Sequence, residues 1–120
     1  MYLVGAPHPN REHLEAFLRH WPDEEYVTSA EVYQEMMHRF VAIDRRTAIE
    51  DAFRLLDDLV VSVFPIQRSD VEVAREIAIL QPKLSARDCL HLAVMQGNGV
   101  SRILTFDSGF SEQSGVTRLP

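Results

Sequence analysis

Two kinds of apolar segment alternate along this chain of 120 residues, and the alternation limits the folds open to it. Short runs rich in β-branched and aromatic residues are typical of strands, and they are "EYVTS", "VVSVFPI" and "SRILTF". Longer segments repeat apolar residues at helical spacing, namely "REHLEAFLRHW", "AEVYQEMMHRFVA", "DRRTAIEDAFRLLDDL", "SDVEVAREIAIL" and "SARDCLHLAVMQ". Strands that alternate with helices predict an α/β fold with a parallel β-sheet flanked by helices. At this length we expect one domain over residues 1–120, with "VTRL" as a final edge strand.

The formal net charge is -6, so the chain has no global positive field for nucleic acid. Any contact with nucleic acid must therefore rest on local arginines or on a metal ion. The single cysteine, Cys89, falls in an apolar helical segment and has no partner for an internal disulfide, which suits a reducing compartment. Because we find neither an apolar run of membrane-spanning length nor a signal peptide, we expect a cytoplasmic protein that does not bind a membrane.

Asp88 is the unusual residue of the segment "LSARDCLHLAV". On a helical wheel it falls between Leu92 and Met95, in a helix with almost no polar face. A carboxylate desolvated there must be protonated, paired or bound to a cation. The alternative is a structural role, because Asp88 follows Ser85 at the spacing of a capping box and so stabilises the start of the helix.

Two further acids lie near the ends of predicted strands. Asp107 directly follows the strand "RILTF", and Glu35 lies on the helix that leaves "EYVTS". Open parallel sheets bind their ligands outside the carboxyl ends of the strands, so we expect Glu35, Asp88 and Asp107 to converge there. Carboxylates that lie a few Å apart require a divalent cation if all are to stay ionised, and hard oxygen ligands select Mg²⁺ or Mn²⁺.

Each of these two acids also has a simpler interpretation. Asp107 can open a turn with Ser108 and Gly109. Glu35 competes with Glu31, one helical turn earlier, for the inward-facing position, and surface glutamates on helices need no special explanation. The histidines show no metal-binding spacing and are interpreted as structural or solvated; they are His8, His13, His20, His38 and His91.

In this order and spacing, the segments "VTSAEVYQEMMH", "LSARDCLHLAV" and "ILTFDSGF" resemble the PIN domain, in particular the VapC-like toxin nucleases of type II toxin–antitoxin systems. The resemblance covers nearly the whole chain and implies a PIN-like three-layer fold. It assigns the catalytic and metal-binding acids to Glu35, Asp88 and Asp107, with Thr105 in a supporting position. It also implies Mg²⁺ or Mn²⁺ as the cofactor, RNA as the substrate, an antitoxin protein as a partner, and a homodimer.

The N-terminal segment departs from the family pattern. Members open with an apolar strand, central in the sheet, that ends in an aspartate, whereas no residue before Glu12 is acidic here. The stretch "MYLVGAPHPN" resembles the helix that follows that aspartate, so we expect the first central strand and the first aspartate to be missing from this chain. Either Met1 is an internal methionine of a longer protein, which we favour, or the chain is a shortened copy. A lost middle strand would leave the backbone groups of both neighbouring strands unpaired.

The function that the resemblance implies is hydrolysis of RNA phosphodiester bonds by a metal-dependent endoribonuclease. The alternative is a catalytically inactive PIN-like module that retains binding of an antitoxin or another partner, because one aspartate is absent. A phosphoaccepting receiver-type domain also clusters acids at strand ends. It requires a suitably placed lysine, however, and Lys83, the only lysine, precedes a helix.

Overall fold

Parallel strands form the centre of the computed structural model, which describes residues 1–4, 19 and 23–104 and the backbone of 117–119. The strands in these residues are β1 (Tyr2–Leu3), β2 (Val27–Ser29), β3 (Ser62–Phe64), β4 (Arg102–Leu104) and β5 (Thr117–Leu119). Their order across the sheet is β3-β2-β1-β4-β5, and each neighbouring pair is parallel. The carboxyl ends of the strands therefore meet at one edge, where ligands of such sheets bind.

Helices connect the strands and flank the sheet. In the described part of the chain they are α1 (Ala30–Ala42), α2 (Ile49–Leu59), α3 (Arg68–Leu80) and α4 (Ala86–Gly97). The predicted α/β class is confirmed, and so is "VTRL" as an edge strand. α1 coincides with the predicted segment and begins directly after β2, so this strand passes into its helix without a loop.

The expectation that the central strand is missing is wrong. β1 lies between β2 and β4, with Tyr2 opposite both Val27 and Ile103. The backbone N–H of Val27 donates to the carbonyl of Met1 at 2.8 Å, and the N–H of Val4 donates to Leu104 at 3.1 Å. The first residues are thus extended rather than helical. They supply the backbone partners that β2 and β4 would otherwise lack, and their apolar side chains are buried in the sheet.

Two helix starts also differ from the sequence prediction. The segment "DRRTAIEDAFRLLDDL" predicts a long helix that opens on Asp44, but Asp44 adopts a left-handed conformation with φ 56°, and a 3₁₀ turn at Arg46–Ala48 precedes α2. Ser69 and Glu72 have the spacing of a capping box in the sequence, but α3 begins at Arg68 and its capping box consists of Gln67 and Asp70. In contrast, Ser85 caps α4 as predicted, because its Oγ accepts a hydrogen bond from the N–H of Asp88.

The core forms where α1, α2 and α4 pack on the central strands. Its largest fully buried side chains include Tyr2 from β1, Met36 from α1, Leu56 from α2, Met95 from α4 and Ile103 from β4. α4 contributes more buried residues than the other described helices, since Cys89 and the five residues 91–95 are all buried. The only polar or charged side chains buried among the described residues are Thr28, Ser29 and His91, so each needs a hydrogen-bond partner.

Several sequence predictions lie outside the described residues. They are the first helix "REHLEAFLRHW", apart from Arg19, and the acid Asp107 with its neighbour Thr105. None of the described helices is long and apolar enough to cross a membrane.

Candidate functional site

The N-terminal halves of α1 and α4 contact each other near the carboxyl end of β2. α1 starts at the end of that strand, which places Glu31 and Glu35 within its first two turns. α4 carries Asp88 in its first turn and His91 one turn later. The side chains of Glu35 and His91 join the two helices. Two segments that the sequence analysis singled out for their acids are therefore neighbours in the fold.

Four polar side chains form a hydrogen-bonded series through this region, which we call the Glu35–Ser29 series. Oε1 of Glu35 lies 2.6 Å from Nε2 of His91, and Nδ1 of His91 lies 2.6 Å from the hydroxyl of Tyr2. That hydroxyl lies 2.8 Å from Oγ of Ser29. The side chain of His91 is 1% exposed and that of Glu35 is 13% exposed. The series thus runs from the buried centre of the sheet to a carboxylate that reaches solvent.

The protons of this series can be assigned from its hydrogen-bond pattern. With Glu35 as a carboxylate, the Nε2–H group of His91 donates to it. In the tautomer with its proton on Nε2, Nδ1 of His91 accepts from the Tyr2 hydroxyl, which keeps its proton because burial raises the pKa of Tyr2 well above its ordinary value of 10.0. The Tyr2 oxygen in turn accepts from the hydroxyl of Ser29. Each of the four side chains therefore has a hydrogen-bond partner within the series, which offsets the cost of burying its polar atoms.

Glu31 adds a second carboxyl group on the same side of α1. Burial, and next the charge of Glu35, raise the pKa of Glu31 above its ordinary value of 4.5, whereas His91 and Arg87 lower it. Glu31 is partly exposed and Glu35 is the one bonded to His91. The two glutamates are therefore close enough to interact electrostatically, and neither is a fully solvated surface residue.

Asp88 is partly buried at the start of α4. Its backbone N–H donates to Oγ of Ser85 at 3.1 Å, so the structural role in helix capping is present. That hydrogen bond uses the backbone N–H of Asp88, so it is compatible with a metal-binding role for the carboxylate of the same residue. A carboxylate in the first turn is also favoured by the helix dipole.

The predicted ligands are carboxylates, whose hard oxygen atoms suit a hard divalent cation. Glu35 and Asp88 lie on neighbouring helices, and Asp107, the third predicted acid, lies outside the described residues. Within the described residues, no group of three histidine, cysteine, aspartate or glutamate side chains is arranged to hold a metal ion. A site of the predicted composition thus requires Asp107 in addition to the two described acids.

An apolar cleft of about 360 Å³ opens beside Glu31, between α3 and α4. Arg75 of α3 and Arg87 of α4 also line it, and both are exposed. Its remaining lining residues are small or aliphatic, together with Cys89: Val71, Ala74, Ala78, Ala86 and Leu90. The cleft therefore places two cationic side chains next to the acidic end of α1.

The sequence assigns no role to Tyr2, and it predicts Ser29 only as the cap of the helix "AEVYQEMMHRFVA". Ser29 does occupy the N-cap position of α1, but its side chain makes no capping hydrogen bond and instead contacts Tyr2. His91 was interpreted only as structural or solvated, and it is in fact buried and bonded on both ring nitrogens. One local signal points to it, because His91 follows Asp88 by three residues and so lies on the same side of the helix. Tyr2 and Ser29 give no such signal, since their positions depend on which strands pair.

Comparison with known proteins identifies the class. The sequence model of the PIN domain matches residues 1–116. The chain therefore belongs to the PIN-domain family. Within it, the chain is 46% identical over 99% of its length to a VapC ribonuclease of Mycobacterium bovis and to ribonuclease VapC13 of Mycobacterium tuberculosis, covering 92% of each. It is 40% identical to ribonuclease VapC23 of Mycobacterium tuberculosis, over 89% of this chain and 86% of that protein.

The fold is similar to that of solved VapC structures. VapC20 of Mycobacterium tuberculosis, described as a Sarcin-Ricin loop cleaving toxin, aligns with TM-score 0.72 and 22% identity over 92% of each chain. VapBC2 of Rickettsia felis, bound to a DNA fragment from its promoter, aligns with TM-score 0.75 and 8% identity over 98% of this chain and 96% of that one. A toxin–antitoxin complex from Klebsiella pneumoniae aligns with TM-score 0.69 and 17% identity, over 98% of this chain and 96% of that one. At these identities the likeness concerns the fold.

Proposed function

We propose that this protein is a ribonuclease, and specifically a divalent-metal-dependent endoribonuclease toxin of a toxin–antitoxin pair. The observation that carries the proposal is the 46% identity, over 99% of the chain, to proteins named as VapC ribonucleases. The fold supports it, because Glu35 and Asp88 lie on adjoining helices beside the carboxyl end of a parallel strand.

In this proposal Glu35, Asp88 and Asp107 hold Mg²⁺ or Mn²⁺ through carboxylate oxygens. A bound ion of this kind supplies positive charge to the scissile phosphate and lowers the pKa of an attacking water. The carboxylates fix where that charge sits, and the Glu35–Ser29 series limits the movement of one of them.

The RNA backbone requires positive charge that the chain as a whole does not have. Arg75 and Arg87 supply it locally, since both line the cleft beside Glu31. We assign them to phosphate groups on one side of the scissile bond, where arginine binds phosphate oxygens in a bidentate manner. The apolar walls of the cleft then contact the sugar or base of the adjoining nucleotide.

We further propose that the protein binds a cognate antitoxin, forms a homodimer and acts in the cytoplasm. Support for the antitoxin comes from the similarity of fold to VapBC2 and to a toxin–antitoxin complex.

Support for a homodimer comes from large apolar side chains on the surface of α3, of which Ile79 is 74% and Leu80 is 77% exposed. Sedimentation of the wild type and of an Ile79→Ser/Leu80→Ser variant tests the homodimer; a wild type that stays monomeric at all concentrations would contradict it.

The test of the function is cleavage of an RNA pool by the purified protein in Mg²⁺ and in Mn²⁺. We expect discrete RNA fragments, loss of cleavage in chelator, and recovery when either metal ion is added back. A protein that cleaves no RNA in any metal ion, yet binds the product of a neighbouring antitoxin-like gene, would contradict the proposal and favour the inactive binding module.

A further inference from the structure

The Glu35–Ser29 series crosses four elements of the fold and ends at a single carboxylate. Glu35 belongs to α1, His91 to α4, Tyr2 to β1 and Ser29 to the end of β2. Both ring nitrogens of His91 have partners at 2.6 Å, so the ring can neither rotate nor shift without breaking one of them. The position of Nε2 is thus fixed relative to the two central strands.

We propose that His91 is a positioning residue, which holds the carboxylate of Glu35 in the orientation that the acidic site requires, with Tyr2 and Ser29 fixing the ring in turn. The inference rests on the proposed function, because it requires that Glu35, the carboxylate at the end of the series, bind the metal ion. It adds that the metal affinity of this chain depends on residues that do not bind the metal ion.

The burial pattern separates this role from simple core packing. A glutamate side chain has three rotatable bonds, and the side chain of Glu35 still reaches solvent with 13% exposure, so its hydrogen bond to His91 favours one orientation of the carboxylate. Aliphatic side chains could fill the space of Tyr2 and His91 without any need to satisfy polar groups, and such replacements of buried polar pairs are often neutral for stability. A fully satisfied polar series that ends on one carboxylate instead fixes its direction, as outer partners do for ligands in metal sites.

The repulsion between Glu31 and Glu35 gives a second reason for a fixed partner. The two acids lie one helical turn apart, and the charge of Glu35 disfavours the ionised form of Glu31. Of the two glutamates, Glu35 is the one that accepts a hydrogen bond from the Nε2–H of His91. His91 therefore selects which of the two carboxylates is held next to α4, the helix of Asp88.

The experiment measures Mn²⁺ affinity of the full chain by electron paramagnetic resonance, without RNA. We expect His91→Leu to raise the Kd for Mn²⁺ by about tenfold or more, the effect typical of losing an outer hydrogen-bond partner. His91→Gln keeps an N–H donor that can reach Glu35 and should restore part of the affinity. His38→Gln, at an exposed histidine on α1, is the matched control and should leave the Kd unchanged.

The double variant Glu35→Gln/His91→Leu decides whether His91 acts through Glu35. We expect it to bind Mn²⁺ no more weakly than Glu35→Gln alone, because the two changes remove the same interaction. A Kd that stays within twofold in His91→Leu, while Glu35→Gln weakens binding, would overturn the positioning role and leave the proposed function standing. Unchanged binding in Glu35→Gln, or no Mn²⁺ binding by the wild type, would overturn the proposed metal site and this inference with it.

A variant at Tyr2 keeps the inference testable if His91→Leu does not fold. Tyr2→Phe removes the partner of Nδ1 and retains the aromatic ring, so we expect a smaller rise in the Kd for Mn²⁺ than in His91→Leu. Thermal unfolding in chelator is recorded for each variant. A purely structural role would lower the melting temperature with no change in Kd, and that result in Tyr2→Phe and His91→Gln would also overturn the inference.

Discussion

Nε2 of His91 lies 2.6 Å from Oε1 of Glu35, although 56 residues separate the two in the sequence. This contact joins α1 to α4 and links the helix of one predicted acid to the helix of another. The contact also explains how the polar side chain of His91 can be buried in the described core, because it gives Nε2 a hydrogen-bond partner.

The hydroxyl of Tyr2 should contribute to stability as well as to position. Tyr2→Phe leaves the Nδ1 of His91 and the Oγ of Ser29 without a buried partner, so we expect the free energy of unfolding to fall by about 1–3 kcal/mol. Urea unfolding in chelator measures it. The matched control is Tyr26→Phe, since Tyr26 is also buried and its hydroxyl has no hydrogen-bond partner among the described residues. That change should be neutral or stabilising, and equal losses in the two variants would contradict the account.

The raised pKa of Glu31 predicts a specific pH dependence of stability. Burial and then the charge of Glu35 raise this pKa, so the folded protein holds the proton to a higher pH than the unfolded chain does. Stability should therefore decrease as pH rises from about the ordinary value of 4.5 through the raised pKa. In chelator, Glu31→Gln should remove this decrease, whereas Glu76→Gln, at an exposed position on α3, should retain it. Parallel pH profiles for the wild type and Glu31→Gln would refute the prediction.

Arg75 and Arg87 should contribute to RNA affinity through phosphate contacts. Each arginine that contacts a phosphate releases counterions from RNA, so Arg75→Gln and Arg87→Gln should each weaken binding and make the slope of log K against log salt shallower by about 0.7. Fluorescence anisotropy with a labelled single-stranded RNA in Ca²⁺ measures both effects. The control is Arg54→Gln, because Arg54 is exposed on α2 and pairs only weakly with Asp51 at 3.7 Å. A salt slope equal to that of the wild type in both variants would exclude this binding surface.

The two roles considered for Asp88 can be separated by stability. Ser85→Ala removes the oxygen that accepts from the N–H of Asp88, and we expect a loss of about 1 kcal/mol. Asp88→Asn keeps that N–H and removes one of the carboxylates that the proposed site brings together, so the metal-free protein should be as stable as the wild type or more stable. Thermal unfolding in chelator compares the two. A clear destabilisation by Asp88→Asn would assign Asp88 to the helix start alone.

The sequence predicted the elements whose signals are local. α1 and α4 follow from helical periodicity, and the start of α4 follows from Ser85, three residues before the N–H that it caps. β1 could not be predicted, because Tyr2–Leu3 is too short to carry an alternating pattern and its place depends on pairing with β2 and β4. The family pattern even favoured a helix there, and tertiary pairing determined the result.

The same distinction holds for the site. Glu35 and Asp88 stay predictions of the sequence, Glu35 because its helix leaves a predicted strand and Asp88 because it is a carboxylate in an apolar helix. Their connection through His91 was not predicted, since it requires knowledge of how α1 packs against α4. Tyr2 and Ser29 join the series only because β1 and β2 are neighbours in the sheet.

The central claim is that the carboxylates of Glu35 and Asp88 serve RNA cleavage. The most direct measurement is the single-turnover rate constant for cleavage of a defined RNA in Mg²⁺, with the protein in excess. The account predicts that Glu35→Gln and Asp88→Asn each lower this rate constant by about 100-fold or more, as expected when charge is removed from a catalytic site. Asp58→Asn, an exposed position on α2, should cleave like the wild type. Rate constants for Glu35→Gln and Asp88→Asn within a few-fold of the wild-type value would contradict the claim.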